Sequence, residues 1–304
     1  MSTSYYPFGR RGPLRWTFAF GLVVLVVFAI VPAVAVFAIS FTDIRGLPGI
    51  PVNWVWLENY ERFFSAARIG YNLNALRNTL VYAIVSTIVI NVLALGIAVL
   101  LNQKIRGRSV ARAIVFLPTI LGVTVIGLIW SLFFNPSAGP GATIWSWFGA
   151  DSAFFGDPNL ALGLVIFVQI WAGLGVAVVI YLAGLQAVPE ELYEAAAIDG
   201  ASGWQRLRLI TVPLLAPSVT ANVLLAIVGS LQSYQLAYVL TGPNNPATQL
   251  LSLAIFAQAF GGSSSSGIGQ SQGYAATISV VQFFIVSIAS LLVLWYLRRR
   301  EAKL

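Results

Sequence analysis

Residues 194–200 read Glu-Ala-Ala-Ala-Ile-Asp-Gly, and after nine further residues positions 210–213 read Ile-Thr-Val-Pro. This charged segment interrupts a chain that is otherwise strongly apolar, because a long hydrophobic run lies on each side of it. The alanines favour a helix. Ionised side chains are costly in hydrocarbon, so we expect the segment to lie in water at the surface of a membrane.

The composition of the chain is that of a membrane protein. Of its 304 residues, 58% are hydrophobic and only 9% are charged, with a mean hydropathy of +0.85. Soluble domains carry about 25% charged residues. The chain contains no cysteine and no histidine, which excludes disulfides, thiolate nucleophiles, histidine-centred triads and metal clusters built on these residues. We predict no catalytic residues, no metal site and no cofactor-binding site, so the protein is not expected to be an enzyme.

Six apolar runs are each long enough to cross a hydrocarbon core, which takes about 20 helical residues. They predict an all-α polytopic membrane protein with about six transmembrane helices, at 17–40, 78–101, 113–134, 160–187, 213–241 and 275–297. The first run follows a cluster of arginines, as in a signal peptide. Its apolar stretch exceeds the roughly 7–15 residues of a signal-peptide core, so we interpret it as an uncleaved first span.

The distribution of positive charge predicts the orientation. Of the 17 lysine and arginine residues, 13 lie on the side that holds both chain ends and four lie on the other side. By the positive-inside rule both termini are cytoplasmic. The expected organisation is a cytoplasmic tail at 1–16, a transmembrane domain at 17–297 and a basic cytoplasmic tail at 298–304. Within the domain we expect an external loop at about 41–77 and a cytoplasmic loop at about 188–212.

The predicted cytoplasmic loop has the pattern of two short helices joined by a glycine turn. Pro189 suits the first position of a helix, and Gly200 lies where a left-handed C-terminal cap is needed. Ser202 and Gln205 are spaced as a capping box for a second helix that ends near Leu209. Such a unit, held between two spans, would move as a rigid body.

Two external segments have simpler patterns. Residues 57–64 place apolar side chains at helical spacing, which predicts a short helix lying on the membrane surface. Residues 261–273 are rich in glycine and serine and predict a flexible external connection.

The charged segment resembles the EAA loop of ATP-binding-cassette (ABC) importer permeases, which runs Glu-Ala-Ala, three residues, Gly, nine residues, Ile, one residue, Leu-Pro. The spacing matches throughout, with Val212 in place of the usual leucine. Further resemblance to sugar-importer permeases lies at 57–60 (Leu-Glu-Asn-Tyr), at 239–260 and at 273–276 (Gly-Tyr-Ala-Ala). The chain thus resembles the maltose-type carbohydrate uptake family, first-permease subunit, from about residue 17 to 300.

This resemblance implies the type I ABC importer permease fold, in the bacterial cytoplasmic membrane, and a machine of several subunits. A solute-binding protein delivers a sugar from outside, a second homologous permease completes the pathway, and a cytoplasmic ATPase dimer binds ATP and magnesium. Membrane lipid is an expected partner, whereas nucleic acid is not. The only lysines, Lys104 and Lys303, do not follow a glycine, so the chain lacks a phosphate-binding loop of its own.

The same resemblance implies which residues meet the ATPase. The residues expected to dock it are Glu194, Ala195, Ala196, Asp199 and Gly200. Arg206 and Arg208 either pair with the ATPase surface or act only as a topology signal.

The substrate path is predicted from chemistry, because sugars are bound by hydrogen-bonding side chains together with aromatic faces. The candidates, all in the predicted fifth span, are Asn222, Gln232, Ser233, Tyr234, Gln235 and Tyr238. The alternative interpretation is that these side chains hydrogen-bond neighbouring helices, as polar groups in membranes commonly do.

Four other functions compete with a sugar permease, and one of them is a scaffold for other membrane proteins without a transport role of its own. A permease for another solute, such as a glycerol phosphodiester, shares most of the motifs. An ion-coupled secondary transporter is disfavoured, because none of the 27 charged residues falls inside a predicted span and such transporters carry intramembrane charges. A membrane enzyme would need an organised cluster of reactive groups, and the external carboxylates are scattered along the sequence.

Overall fold

The computed structural model describes residues 11–46, 49–103, 106–149, 151–261 and 271–301. These residues form an all-α fold, in which the only extended pairing described is an isolated bridge between Thr42 and Trp54. Parts of the predicted tails and of the predicted connection at 261–273 lie outside the described residues. The all-α prediction is confirmed for the rest.

Fifteen α-helices are described within those ranges. They are α1 (Arg11–Leu25), α2 (Val31–Ile39), α3 (Glu58–Phe64), α4 (Ala66–Asn102), α5 (Arg108–Ile120), α6 (Val123–Phe133), α7 (Pro140–Ser146), α8 (Ala161–Gln186), α9 (Glu190–Ile198), α10 (Gly203–Arg206), α11 (Val212–Leu214), α12 (Ala216–Leu231), α13 (Gln235–Thr241), α14 (Leu251–Phe260) and α15 (Gln272–Glu301). Five-residue π-helical segments join α1 to α2 (Val26–Ile30) and α10 to α11 (Leu207–Thr211).

Four unbroken spans agree with the predicted ones in place, although one begins earlier. Apolar helices long enough to cross a membrane cover Thr17–Ile39, Ala66–Asn102, Ala161–Gln186 and Gln272–Arg300. At 1.5 Å per residue, the 37 residues of α4 extend about 56 Å, well beyond a hydrocarbon core of about 30 Å. Residues 66–77, predicted as part of an external loop at about 41–77, are helical and continue α4 beyond the predicted span.

The other two predicted spans are present as apolar runs, but each is divided into more than one helix. The run at 113–134 is bent by 103° between α5 and α6. The run at 213–241 is bent by 69° near its start, between α11 and α12, and it is interrupted again between α12 and α13. Pro118 and Pro217, which flank the two bends, lack the N–H that a continuous helix would use. Hydropathy registers the apolar length of a run and not its continuity.

The core forms where α4 packs against α8, α12, α14 and α15. Small side chains allow this close approach: Ala75, Ala83, Ala94 and Ala98 of α4 are all fully buried. In α8, a Cβ on Gly175 would come within 2.8 Å of the Val115 carbonyl oxygen of α5. Such small residues are typical of helix contacts in membranes, where close packing replaces the hydrophobic effect as the attractive force.

The α3 helix packs against one end of the bundle through its buried residues Asn59 and Phe63. Asn59 is buried, and its Nδ2 donates to the carbonyl oxygens of Ser40 (3.0 Å) and Thr42 (2.8 Å). Thr277 of α15 donates to the same Ser40 oxygen at 3.1 Å. The helix at 57–64 is thus confirmed as a helix, and the Ser40 carbonyl oxygen joins it, through Asn59, to the end of α2 and, through Thr277, to the start of α15.

A second lock holds the connection between α2 and α3 in place. The Asn53 backbone N–H donates to Asp43 Oδ1 at 2.7 Å, and Asn53 Nδ2 donates to Oδ2 at 3.0 Å. These two hydrogen bonds lower the pKa of Asp43 below its usual value, so the carboxylate stays ionised as their acceptor.

Gly273 is predicted to be intolerant of even one added methyl group. A Cβ there would overlap the Thr42 carbonyl oxygen, so Gly273→Ala should destabilise the purified protein by about 1–3 kcal/mol, as overpacking typically does. The matched control is Gly163→Ala, because a Cβ at Gly163 meets nothing within 4 Å. Thermal unfolding in detergent measures both, and equal melting temperatures for the two variants would contradict the packing described for Gly273.

Candidate functional site

The charged segment singled out in the sequence folds into α9 with a defined C-terminal cap. The Ala201 N–H donates to the Ala196 carbonyl oxygen at 2.9 Å, and the Gly200 N–H donates to that of Ala197 at 3.1 Å. Gly200 has φ +76°. These features make a Schellman motif, and they confirm the left-handed cap predicted at Gly200. Pro189, predicted as the first helical residue, lies one position earlier as the N-cap.

The second short helix is also confirmed, although it is longer than predicted. The Gln205 N–H donates to Ser202 Oγ at 3.3 Å, and the Ser202 N–H donates to Gln205 Oε1 at 2.7 Å, which is the predicted capping box. Helical structure continues past Leu209 to the end of α11, through the π-helical segment.

A hydrogen bond joins the two halves of this loop. The Tyr193 hydroxyl of α9 lies 3.0 Å from Thr211 Oγ1, and Thr211 is buried. The two hydroxyls fix the angle between α9 and the segment that leads into α12. Behind them, a cleft of about 380 Å³ reaches Asn102 and Gln103 at the end of α4. The loop is therefore a braced unit that stands on the end of the bundle.

The residues expected to dock a partner lie on the outside of this unit. Four of them (Glu194, Ala195, Asp199 and Gly200) are exposed and Ala196 is half-buried. Sequence reasoning missed two apolar neighbours, Ile198 and Trp204, which are 87% and 69% exposed. Their signal was available, because large apolar side chains in a charged loop have no core of their own to enter.

The two arginines of the loop differ. Arg208 is exposed, whereas Arg206 is half-buried and its Nε has no hydrogen-bond partner. Arg206 also lines the cleft behind α9 together with Glu190.

Most of the substrate-path candidates gather where the helix breaks between α12 and α13. The backbone leaves the helical path at Gln232 (φ −100°, ψ 1°) and re-enters it after Tyr234 (φ −144°, ψ −24°). Non-helical backbone at membrane depth is tolerated only where it is buried in protein or lines a cavity. The break therefore indicates backbone that is buried in protein or lines a cavity, which an ordinary contact between two continuous helices does not require.

Ser233 ties the break to two neighbouring helices. Its Oγ lies 3.1 Å from the hydroxyl of Tyr82 on α4, and that hydroxyl donates to Gln169 Oε1 on α8 at 3.0 Å. Tyr82 is fully buried. Sequence reasoning missed Tyr82, because a lone tyrosine in an apolar run is indistinguishable from a packing residue.

The other candidates at the break present aromatic and amide groups. Tyr234 stacks on Phe256 of α14 with ring centroids 5.2 Å apart, and Tyr238 meets the same ring edge-on at 5.1 Å. Gln232, Gln235 and Tyr238 are exposed. The chain thus brings a rigid aromatic group beside two amide side chains, although Phe256 was not among the predicted residues.

Asn222 lies apart from this group. It is buried, and its Nδ2 donates to the Ala177 carbonyl oxygen of α8 at 3.1 Å. This contact is the helix-to-helix hydrogen bond of the alternative interpretation. Asn222 also borders a small cleft of about 170 Å³ that reaches Gln169, and its place in a substrate path stays a prediction.

A connecting segment next to the break, which contains a single 3-10 turn at Pro246–Thr248, is held by α4. Residues 242–250 run between α13 and α14. Asn74 Nδ2 donates to the Pro246 carbonyl oxygen at 2.7 Å, and Asn78 Nδ2 donates to those of Ala247 (3.1 Å) and Gln249 (3.2 Å). Three backbone carbonyls of this segment, those of Pro246, Ala247 and Gln249, thus accept hydrogen bonds from amide side chains of α4.

A known protein family accounts for most of the chain. The family model described as "Binding-protein-dependent transport system inner membrane component" matches residues 105–302. The chain belongs to this family. It is a permease subunit of an ABC importer and a multi-pass protein of the plasma membrane.

Characterised relatives resemble the permease over most of its length. It is 33% identical to the trehalose/maltose transport system permease protein MalF of Thermococcus litoralis, over 87% of this chain and 88% of the relative. It is 32% identical to the multiple sugar-binding transport system permease protein MsmF of Streptococcus mutans, over 91% and 92%.

Among solved structures, the fold of the permease matches a chain of a bacterial ABC transporter involved in the import of the acidic polysaccharide alginate. The TM-score is 0.79 at 21% identity, with 94% of this chain and 95% of that chain covered. At this identity the match shows the fold alone, and it confirms the predicted ABC importer permease fold.

Gly200 is predicted to stabilise α9 through its backbone conformation alone. A Cβ at Gly200 meets nothing within 4 Å, but its φ of +76° is strained for alanine. Gly200→Ala should weaken the cap by about 1 kcal/mol and speed hydrogen exchange of the α9 amides about fivefold. Gly203→Ala is the control, since that position is equally open and lies in α10 without a positive φ. Unchanged exchange in Gly200→Ala would contradict the capping role.

Proposed function

We propose that this permease forms, together with a second homologous permease, the pathway through which an ATP-driven importer carries a sugar or oligosaccharide across the cytoplasmic membrane. A solute-binding protein delivers the sugar on the outer side. A cytoplasmic ATPase dimer binds ATP and magnesium and docks on the α9 loop, and both chain termini lie in the cytoplasm. The relatives named for sugar transport support this assignment, and the F-type names of MalF and MsmF support the first-permease position.

Docking of the ATPase is supported above all by exposed apolar side chains at the tip of the folded loop. Ile198 and Trp204 project from α9 and α10 although the loop is folded and capped. Exposed apolar side chains rimmed by polar residues mark protein interaction sites. Glu194 and Asp199 supply the polar rim, and Ala195 allows a partner to approach the helix closely.

The loop is built to transmit a push from the ATPase. Tyr193 and Thr211 fix α9 against the π-helical segment, and the chain then continues through α11 and α12 to the break at Gln232. Movement of the loop would therefore reach the predicted substrate path along connected backbone. The energy comes from the partner subunit, because this chain has no phosphate-binding lysine loop.

The groups at the break favour a neutral, hydroxyl-rich solute. The exposed side chains there are the amides of Gln232 and Gln235 and the phenol of Tyr238, beside the stacked rings of Tyr234 and Phe256. Amides and phenols hydrogen-bond sugar hydroxyls, and aromatic faces pack on the apolar faces of sugar rings. None of these side chains carries the positive charge that a phosphodiester would require.

Ile198 is predicted to be an anchor for the ATPase. Ile198→Ser should greatly reduce the ATPase recovered when the tagged permease is purified gently from its native membrane, because a side chain that buries its surface at an interface is lost. Phe148→Ser is the control, since Phe148 is 81% exposed near the opposite end of α8. Mass spectrometry quantifies the partners. Undiminished ATPase with Ile198→Ser, or no ATPase with the wild type, would contradict the proposal.

Tyr234 is predicted to act in solute passage and not in assembly. Tyr234→Ala removes the ring that stacks on Phe256 and should lower uptake of the transported sugar about two- to tenfold, since an aromatic pair contributes about 0.5–1.5 kcal/mol beyond the area it buries. Tyr296→Ala is the control, because that exposed aromatic lies near the far end of α15. Uptake of labelled sugar into cells and recovery of the complex are measured together. Equal loss of uptake in both variants would refute a specific role for Tyr234.

A further inference from the structure

We propose that a cleft at the end of the bundle that carries the loop at 188–212 binds one anionic phospholipid of the cytoplasmic leaflet. The acyl chain would lie between α4, α12 and α15, and the headgroup would lie on Arg300. This inference concerns a binding site that is separate from the solute path, and it does not depend on which solute is carried.

The cleft is apolar, and the polar side chains at its base already have hydrogen-bond partners. It has a volume of about 240 Å³, and its walls include Val92, Leu95, Val219 and Leu297. At the base, the Tyr181 hydroxyl donates to Asn91 Oδ1 at 2.7 Å. Asn91 Nδ2 in turn donates to a carbonyl oxygen of its own helix, that of Thr87, at 2.8 Å. Polar groups already paired in this way do not call for water or sugar, and they tolerate a hydrocarbon chain.

A cationic group stands at the edge of this apolar space. Arg300 lines the cleft, and none of the described residues that line it is acidic. Arg298 and Arg299 precede it on α15, and Glu301 is the one acid within the sequence 298–304. Basic pockets between transmembrane helices on the cytoplasmic side bind anionic lipid headgroups. The cleft therefore offers an apolar wall for an acyl chain next to a positive charge for an anionic headgroup.

The position of the arginines along α15 agrees with the interface between the membrane hydrocarbon and water. The Arg299 guanidinium lies 3.9 Å from the centroid of the Trp295 ring, and Trp295 and Tyr296 are both exposed. Aromatic residues of this kind are enriched where a helix leaves the hydrocarbon. Arg300 thus lies where a headgroup phosphate would lie, one turn beyond the aromatic level.

The outer side of the cleft is aliphatic, as a lipid contact requires. Val92 of α4, which lines the cleft, is 66% exposed. A sugar would find no free hydrogen-bonding side chain along this wall. A second permease could cover the same aliphatic surface, but it would not by itself explain an arginine at the mouth.

The cleft also contacts the segment that leads from the loop at 188–212 into α12. Val212 of α11 and Ala216 of α12 are part of its lining. An acyl chain in the cleft would therefore bridge α15 to the bend between α11 and α12. Occupancy by lipid would stabilise one position of that bend, so the lipid composition of the membrane would bias the position of the loop.

The test uses the complete transporter in nanodiscs of phosphatidylcholine, with and without phosphatidylglycerol. Native mass spectrometry counts the phosphatidylglycerol retained on the permease. We expect the wild type to retain phosphatidylglycerol in preference to phosphatidylcholine, and Arg300→Gln to reduce this retention about fivefold, the factor for one interfacial charge. Arg298→Gln is the matched control, because it removes the same charge from the same helix at a residue outside the cleft lining.

A second variant separates the cleft from the charge. Val92→Trp should fill the apolar space from its exposed side and reduce retention while all arginines stay in place. Three results would each overturn the proposal: equal retention of the two lipids by the wild type, equal loss in Arg298→Gln and Arg300→Gln, or full retention in Val92→Trp. Crosslinking of position 92 to the second permease would also overturn it, since the cleft would then belong to the subunit interface.

Discussion

The absence of water inside a bilayer is the constraint on which the rest of this structure depends. Backbone groups that leave a helix there must find partners within the protein. The permease leaves helical structure near the break at Gln232 and in residues 242–250, and α4 holds both places through Ser233–Tyr82 and through Asn74 and Asn78. The long second span is thus more than a membrane crossing, because its polar side chains stabilise the irregular segments.

This requirement explains why irregular structure and candidate function coincide. Broken helices in transporters typically line a binding site, where exposed backbone and side chains are available to a solute. Here the break brings Tyr234 against Phe256 and leaves Gln232 and Gln235 exposed. Tyr82 is buried and contacts no solute, yet its hydroxyl links the break to α4 and α8. Some polar residues of the spans therefore hold the break in place, and others are exposed at the break, where a solute could contact them.

The sequence predicted features that depend on local chemistry and missed those that depend on packing. Gly200 and the capping box of Ser202 were predictable, because caps are determined by a few adjacent residues. The break after Leu231 was not predicted, although Gly229 and Ser230 come just before it, because the partner that stabilises it, Tyr82, is about 150 residues away in the sequence. The buried place of Asn59 was missed for the same reason, because its acceptors belong to the end of another helix.

The bend at the base of α12 determines how far a push on the loop can travel. Leu215 is buried, and a Cβ on Gly184 of α8 would overlap Ser218 Oγ, so α8 and α12 are in close contact just beyond the bend. A bend packed this tightly cannot open as a hinge without creating a void, and packed interiors resist such changes. The loop, the start of α12 and the adjoining end of α8 would then move as one body. The nearest backbone free of regular helical hydrogen bonds along that path is the break at Gln232, about 24 Å further along α12, so relative movement would be absorbed beside the predicted solute site.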